Sequence, residues 1–180
     1  PLFMGKLIAT DPGFDDAGFY VFHSIVEKYG WDYMTKYMAQ KPKFVTDGHA
    51  SVSNAIAAGD MLATFDSTST TPRLKAQGKP IDLLLSRDDA TPLFYVAAAI
   101  FKDAPHPNAA KLFLNWYLDP AQQSRTGTFS PRADVAPPQG WQPLTSYRLD
   151  TGYSKMLADE PRLIELKKRL RSTSPLALNS

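Results

Sequence analysis

Short apolar runs alternate with helix-spaced segments along the first half of this sequence, and Gly or Pro punctuates the joints. This alternation constrains the fold more than any other feature. Leu7, Ile8 and Ala9 read as a strand that delivers Asp11-Pro12-Gly13 into a loop. Asp15 or Asp16 then caps a helix in which Val21, Phe22, Ile25, Val26 and Tyr29 recur at helical spacing, and Gly30 stops it. Trp31, Met34, Tyr37 and Met38 continue an apolar face on a second helix. Phe44 and Val45 suit a short strand after Pro42; Ser51 caps a helix carrying Val52, Ala55 and Ile56, ended by Gly59. Met61 to Phe65 is the next strand, Thr71 caps a helix with Pro72 at its first position, and Ile81 to Leu85 is a further apolar run. Such short continuous runs are typical of buried parallel strands. Strand and helix in alternation predict an α/β lobe with ligand loops at the carboxyl ends of the strands.

The character changes near Asp88 to Pro92. Phe94 to Phe101 reads as another apolar strand, and Asn108 as the cap of a helix from Ala109 to Leu118 with Ala110, Phe113, Leu114 and Tyr117 as a buried stripe. Asp119-Pro120 starts a further short helix. Thr126 to Pro143 is a long Pro- and Gly-containing connection, and helical pattern returns at Tyr153 to Leu157 and Pro161 to Leu170. No internal repeat or low-complexity segment interrupts this order.

The 180 residues suffice for one substantial core, or for one domain plus part of a second. With 43% hydrophobic and 21% charged residues, the balance is that of a soluble globular protein. A net charge of +2 and the lone basic run Lys167 to Arg171, on an amphipathic helix, argue against a nucleic-acid partner. The absence of cysteine excludes disulfides, thiol catalysis and thiolate metal sites, and fits an oxidising compartment. No signal peptide or membrane span is apparent, and no glycine-rich nucleotide fingerprint follows a strand.

The chemistry concentrates in one place. The run Met61 to Phe65 ends in Asp66 and the five hydroxyl residues Ser67, Thr68, Ser69, Thr70 and Thr71, followed by Pro72 and Arg73 at a helix start. Hydroxyls and the free N–H groups of a helix terminus form a cradle for an anion or polar ligand, and no strong nucleophile with an evident base accompanies them. Serine and threonine clusters also mark ordinary exposed turns.

Several motifs, taken in order, resemble the carboxyl-terminal portion of an extracellular solute-binding protein of an ABC importer, in the branch that holds ferric-iron, phosphonate and thiamine binders. Gly5 to Pro12 resembles the strand and Asp-Pro loop that opens the second lobe. Val52 to Asp60 is similar to the helix and turn before a ligand-contacting strand end. Phe101 to Leu118, with Asp119-Pro120-Ala121-Gln122-Gln123 after it, carries the strongest likeness, and Pro131 to Val135 resembles the Arg-containing loop that comes next. The resemblance implies an α/β, periplasmic-binding-protein-like (type II) two-lobe fold, of which one lobe and part of the other are present. Residues 1–92 would be the second α/β lobe, 93–140 a segment returning to the first, and 141–180 helices packing back on the second. A longer parent protein follows from this reading, as does a large exposed apolar face on 93–140 if the rest of the first lobe is absent.

By the same resemblance the chain is no enzyme and carries no cofactor. Its partners would be a small-molecule solute and the membrane permease of an ABC importer, and it would be a monomer when full length. It would be exported to the periplasm or cell exterior from a precursor with a signal peptide; a lipid anchor on that precursor is left open. Iron binders of the family hold the metal with two adjacent tyrosines just beyond the strand matching Met61 to Phe65. Here Asp66, Ser67, Thr68 and Ser69 stand in that place and no adjacent tyrosine pair exists, so an organic anion (phosphonate, sulfonate or carboxylate) is favoured over ferric iron and no metal site is expected. Ser67, Thr68 and Ser69 would donate to ligand oxygens. Thr10 and Asp11 would line the same cleft, Asp11 as an amine contact or a backbone cap because it would repel an anion. Arg132 would supply a charge-assisted clamp, with Arg73 and Tyr95 as lesser contacts.

The histidines fit packing or surface roles at positions 23 and 106, and a turn at His49. Two alternatives involve His49: a metal site with Asp47 or Asp66, and a hydrolytic triad with Ser67 or Ser69 and an aspartate. The Gly-x-Ser-x-Gly elbow that would support a hydrolase is missing.

Overall fold

The computed structural model describes residues 2–67, 69–94 and 96–173. Thr68 and Tyr95, both named above as ligand contacts, lie outside the described residues.

Strand β1 (Ile8–Thr10) pairs in parallel with β2 (Lys43–Val45), Ile8 opposite Lys43 and Thr10 opposite Val45. On the other side of β1 the segment around Ala63 runs parallel as well: Leu7 bridges Ala63, Leu62 N donates to Lys6 O at 2.8 Å and Ile8 N to Ala63 O at 3.2 Å. The expected strand Met61 to Phe65 is thus reduced to one bridge, because only its middle meets a partner.

Between β1 and β2 the chain crosses over through α1 (Asp16–Ala39). Asp15 caps this helix, its side chain accepting from Gly18 N. Gly30 interrupts it with φ 77° and ψ 174°, a conformation that costs a residue with a Cβ about 1–2 kcal/mol. The break lets one helix present two buried faces: Phe19, Phe22 and Val26 before it, Met34, Tyr37 and Met38 after it. With Ala9 of β1 they form the core, against which Leu7, Ile25, Trp31 and Phe44 pack. Helix α2 (His49–Ala57) leads to the Ala63 segment, and α3 (Thr71–Ala76) follows. The start of α2 lies earlier than expected: Gly48, not Ser51, stands at the cap, and Ser51 bonds back to Asp47 Oδ1 and Gly48 O. Thr70 rather than Thr71 stands at the cap of α3.

Two further expected strands are corrected. Ile81 to Leu85 and the described residues of Phe94 to Phe101 form no ladder; hydrophobicity makes a strand only where a sheet edge is within reach. Among the described residues of this region, strand pairing is limited to β3 (Thr91–Pro92), which later meets β4 (Leu149–Asp150) in parallel.

Helices α4 (Pro107–Tyr117) and α5 (Pro120–Arg125) come next. His106 occupies the cap position of α4 and Asn108 lies inside it. The stripe expected to be buried on α4 is not: the helix has no buried residue, and Phe113 and Tyr117 are about half exposed. After α5, Gln123 is buried and bonds Tyr117 O and Ser130 Oγ, tying the helix to the loop beyond.

The chain then returns to its beginning. A 3-10 turn (Leu144–Ser146) leads through β4 to α6 (Tyr153–Leu157) and α7 (Glu160–Thr173). Leu170 of α7 is 2% exposed and belongs to the core of α1; Leu163, Leu166 and Met156 pack beside it. Tyr20 OH donates to Asp150 Oδ2 at 2.7 Å, and Tyr20, Phe94 and Tyr153 meet edge to face at 5.3–5.9 Å between centroids. Burial and this bond to a carboxylate push the Tyr20 phenol well above its ordinary range.

Candidate functional site

The three parallel segments run out at one edge. Asp11 N continues the ladder to Val45 O at 2.8 Å, so Thr10 and Asp11, the turn before α2, and Thr64 to Ser67 end side by side. Crossover helices start from the same edge, which places helix N-termini beside the strand ends.

Asp66 is the hub. Its side chain is 2% exposed, and its two oxygens serve three segments. Oδ2 accepts from Thr10 N at 3.2 Å, while Oδ1 accepts from Ser67 N at 2.5 Å and meets Nδ1 of His49. The far nitrogen of the imidazole, Nε2, lies 3.5 Å from Oδ2 of Asp15, the oxygen that caps α1. His49 therefore sits between two carboxylates from different parts of the chain. Its pKa is raised, first by the hydrogen bond to Asp66; burial opposes this, and the charges of Asp66 and Asp15 add to the rise.

Around this hub the sequence-derived residues divide. The Ser67 hydroxyl donates to Ser69 Oγ at 3.1 Å, and Ser69 N donates back to Ser67 Oγ at 3.2 Å. Ser67 is half-buried and Ser69 exposed. The Asp11 carboxylate takes Gly13 N at 2.7 Å, closing its own turn. Thr10 is buried, with its hydroxyl directed at Gly18 of α1; a Cβ at Gly18 would come within 2.6 Å of it. Its part at this edge is played by its backbone N–H. Arg132 stands elsewhere in the chain's contact pattern. Its guanidinium forks onto Asp134 at 2.8 and 2.6 Å and reaches Leu118 O at 3.1 Å, fastening the loop after α5 to the end of α4. Among the described residues nothing brings it to Ser67.

The arrangement leaves little for bond-breaking chemistry. A hydrolytic histidine must offer one nitrogen to the nucleophile and the other to its carboxylate. Both nitrogens of His49 face carboxylates, and the serine hydroxyls face each other. Among the described residues no three His, Cys, Asp or Glu side chains are set to hold a metal ion. Asp47, considered above as a partner of His49, accepts from Ser51 instead.

Sequence reasoning weighed the pairing of His49 with Asp66 only within a metal or triad reading, and it missed the second contact of His49, with Asp15. The usable signal was positional: an acid just past an apolar run, and a Gly-His pair opening a helix just past another.

No helix among the described residues is long and apolar enough to cross a membrane. The family of bacterial extracellular solute-binding proteins matches residues 5–146. No curated protein matches the chain. That match spans β1 through the 3-10 turn and takes in the whole strand edge with its hydroxyl segment. The chain therefore belongs to the bacterial extracellular solute-binding protein family, as the extracellular solute-binding component of an ABC import system that works with a membrane permease.

Proposed function

We propose that the captured solute is a small organic anion (a phosphonate, sulfonate or carboxylate) held at the carboxyl edge of β1, β2 and the Ala63 segment by closure of two lobes. The observation that carries this reading is the convergence of Ser67, Ser69 and His49 beside the start of α2. Gly48 gives that helix no side-chain cap, which leaves its first N–H groups to bond an incoming acceptor. Protonated His49 offsets the Asp66 carboxylate, so the edge is less hostile to an anion than its count of acids implies. Asp11 and Asp15 suit an ammonium group on the same solute, and a ligand with both charges would use both sides. Residues 1–92 would form one lobe, 93–140 would return to the other, and 141–180 would pack back on the first. Arg132, already occupied by Asp134, would act on the solute only through its remaining N–H capacity.

Capture here is a coupling of ligand contacts to closure, with no bond made or broken. Each donor hydroxyl left without a partner in the closed site costs about 1–3 kcal/mol, which is the source of selectivity. Thermal-shift and calorimetric titration of the purified protein with methylphosphonate, methanesulfonate, succinate and ferric ion tests the reading. Stabilisation by one anion class at micromolar concentration, weakened roughly tenfold by Ser67→Ala, is expected. Stoichiometric retention of ferric ion would overturn it in favour of the iron-binding branch, and turnover of a model ester would put a serine hydrolase in its place.

A further inference from the structure

The imidazole of His49 is not free to contact a solute through either nitrogen, yet it occupies the centre of the proposed site. It joins three segments distant in sequence. Through Asp66 it meets the backbone of Ser67 and the last residue of β1; through Asp15 it meets the cap of α1. The charged groups that face the ring are Asp66, beyond the Ala63 segment, and Asp15, ahead of α1; Asp47 on the turn before α2 is engaged by Ser51. With the ring neutral, one nitrogen would carry no proton and would present a lone pair to a carboxylate. With the ring charged, both nitrogens donate. Only the charged ring satisfies both acids at once.

We propose that His49 is a positioning residue for solute capture, which as an imidazolium pins Ser67 to the strand edge through Asp66, so that anion binding weakens as the ring loses its proton. This rests on the reading that Ser67 and Ser69 hold an anion. It adds the device that sets their geometry and makes capture depend on pH. The raised pKa of His49 agrees with the geometry and places the change above the ordinary histidine value of 6.5. Deprotonation leaves the ring a single N–H for two acids, so one carboxylate then meets a lone pair, and it removes the positive charge that offsets Asp66 and Asp15.

Two measurements test the proposal separately from the solute reading. In the unliganded protein, the amide resonances of Ser67 and Thr10 titrate together in wild type with a midpoint above that of free histidine. They lose that titration in His49→Asn, which keeps a neutral donor near the Nδ1 position. In Asp15→Asn, whose side chain still caps α1, the midpoint moves down. Methanesulfonate, whose charge is constant over about pH 5 to 9, then serves as the ligand probe. Wild-type affinity is expected to fall by up to tenfold per pH unit above the midpoint, a slope that one linked proton sets at about tenfold. His49→Asn is expected to bind more weakly with a flat profile.

Amides that do not move with pH, or an equal slope in wild type and His49→Asn, overturn the positioning role even where an anion binds. Amides that titrate as stated while no anion binds support the pin but overturn the solute reading, and with it the link to capture. A His49→Asn protein that melts without cooperativity is replaced in both measurements by Asp15→Asn, where an unchanged midpoint would sink the idea.

Discussion

Asp66 shows how one buried side chain can organise residues that local sequence keeps apart. Burying a carboxylate is costly unless each oxygen is bonded, and here Thr10 N, Ser67 N and His49 share that task. Asp66→Ala leaves those donors without an acceptor and should lower stability by about 3–5 kcal/mol, read as a reduced denaturant midpoint at unchanged slope. The pH dependence follows from the sign of the shift at His49. A histidine whose folded pKa is raised contributes stability that is complete below its unfolded value of 6.5 and is lost as pH rises through the folded value. The melting temperature of wild type should therefore decline as pH rises above 6.5, and that of Asp66→Asn should decline less over the same interval. At this scale the sequence was legible where the rule is local. A cap at Asp15 or Asp16 follows from their position ahead of an apolar-periodic run, and Asp15 fills it, whereas the His49–Asp66 pair spans 17 residues and exists only once the crossover is formed.

Among elements, legibility depended on whether an apolar run had something to pair with. The run at Leu7 to Ala9 became a strand because two other segments flank it. Ile81 to Leu85 is also largely apolar, but it carries Asp82 and has no flanking strand among the described residues, and so remains irregular although Ile81 itself is buried. The Gly30 stop was readable because glycine alone enters φ 77° without strain. Gly18 has a different reason, invisible to pattern: it lets α1 approach the Thr10 hydroxyl. Gly18→Ala would intrude on a buried strand residue and should destabilise the protein by about 1–3 kcal/mol, despite alanine's better helix propensity; thermal unfolding of the pair of proteins checks the sign.

For the whole molecule, burial is uneven. Phe22 and Leu170 lie in the shared core of α1 and α7, while Phe101, Phe113 and Trp116 are exposed by half or more. The expectation of an exposed apolar face on 93–140 matches this surface, and the expectation of a buried stripe on α4 does not, although both arose from the same residues. Helical periodicity identifies an apolar face; it does not say what covers it. The contrast is measurable with one residue type. Phe22→Ala should cost about 3–5 kcal/mol, whereas Phe113→Ala should stay within about 0.5 kcal/mol in the same unfolding assay.

Thr10, His49 and Ser67 each arrive at the strand edge from a different crossover unit of a parallel ladder. Spacing among Thr10, His49 and Ser67 is set by the ladder's register, so insertions in the outer turns between them would leave it unchanged. The loop tips can then be rewritten one at a time while the packed layer beneath stays constant. With the solute held at this edge, as proposed, a lineage built on this frame would exchange one solute for another by altering a few tip residues, with no need to redesign its interior.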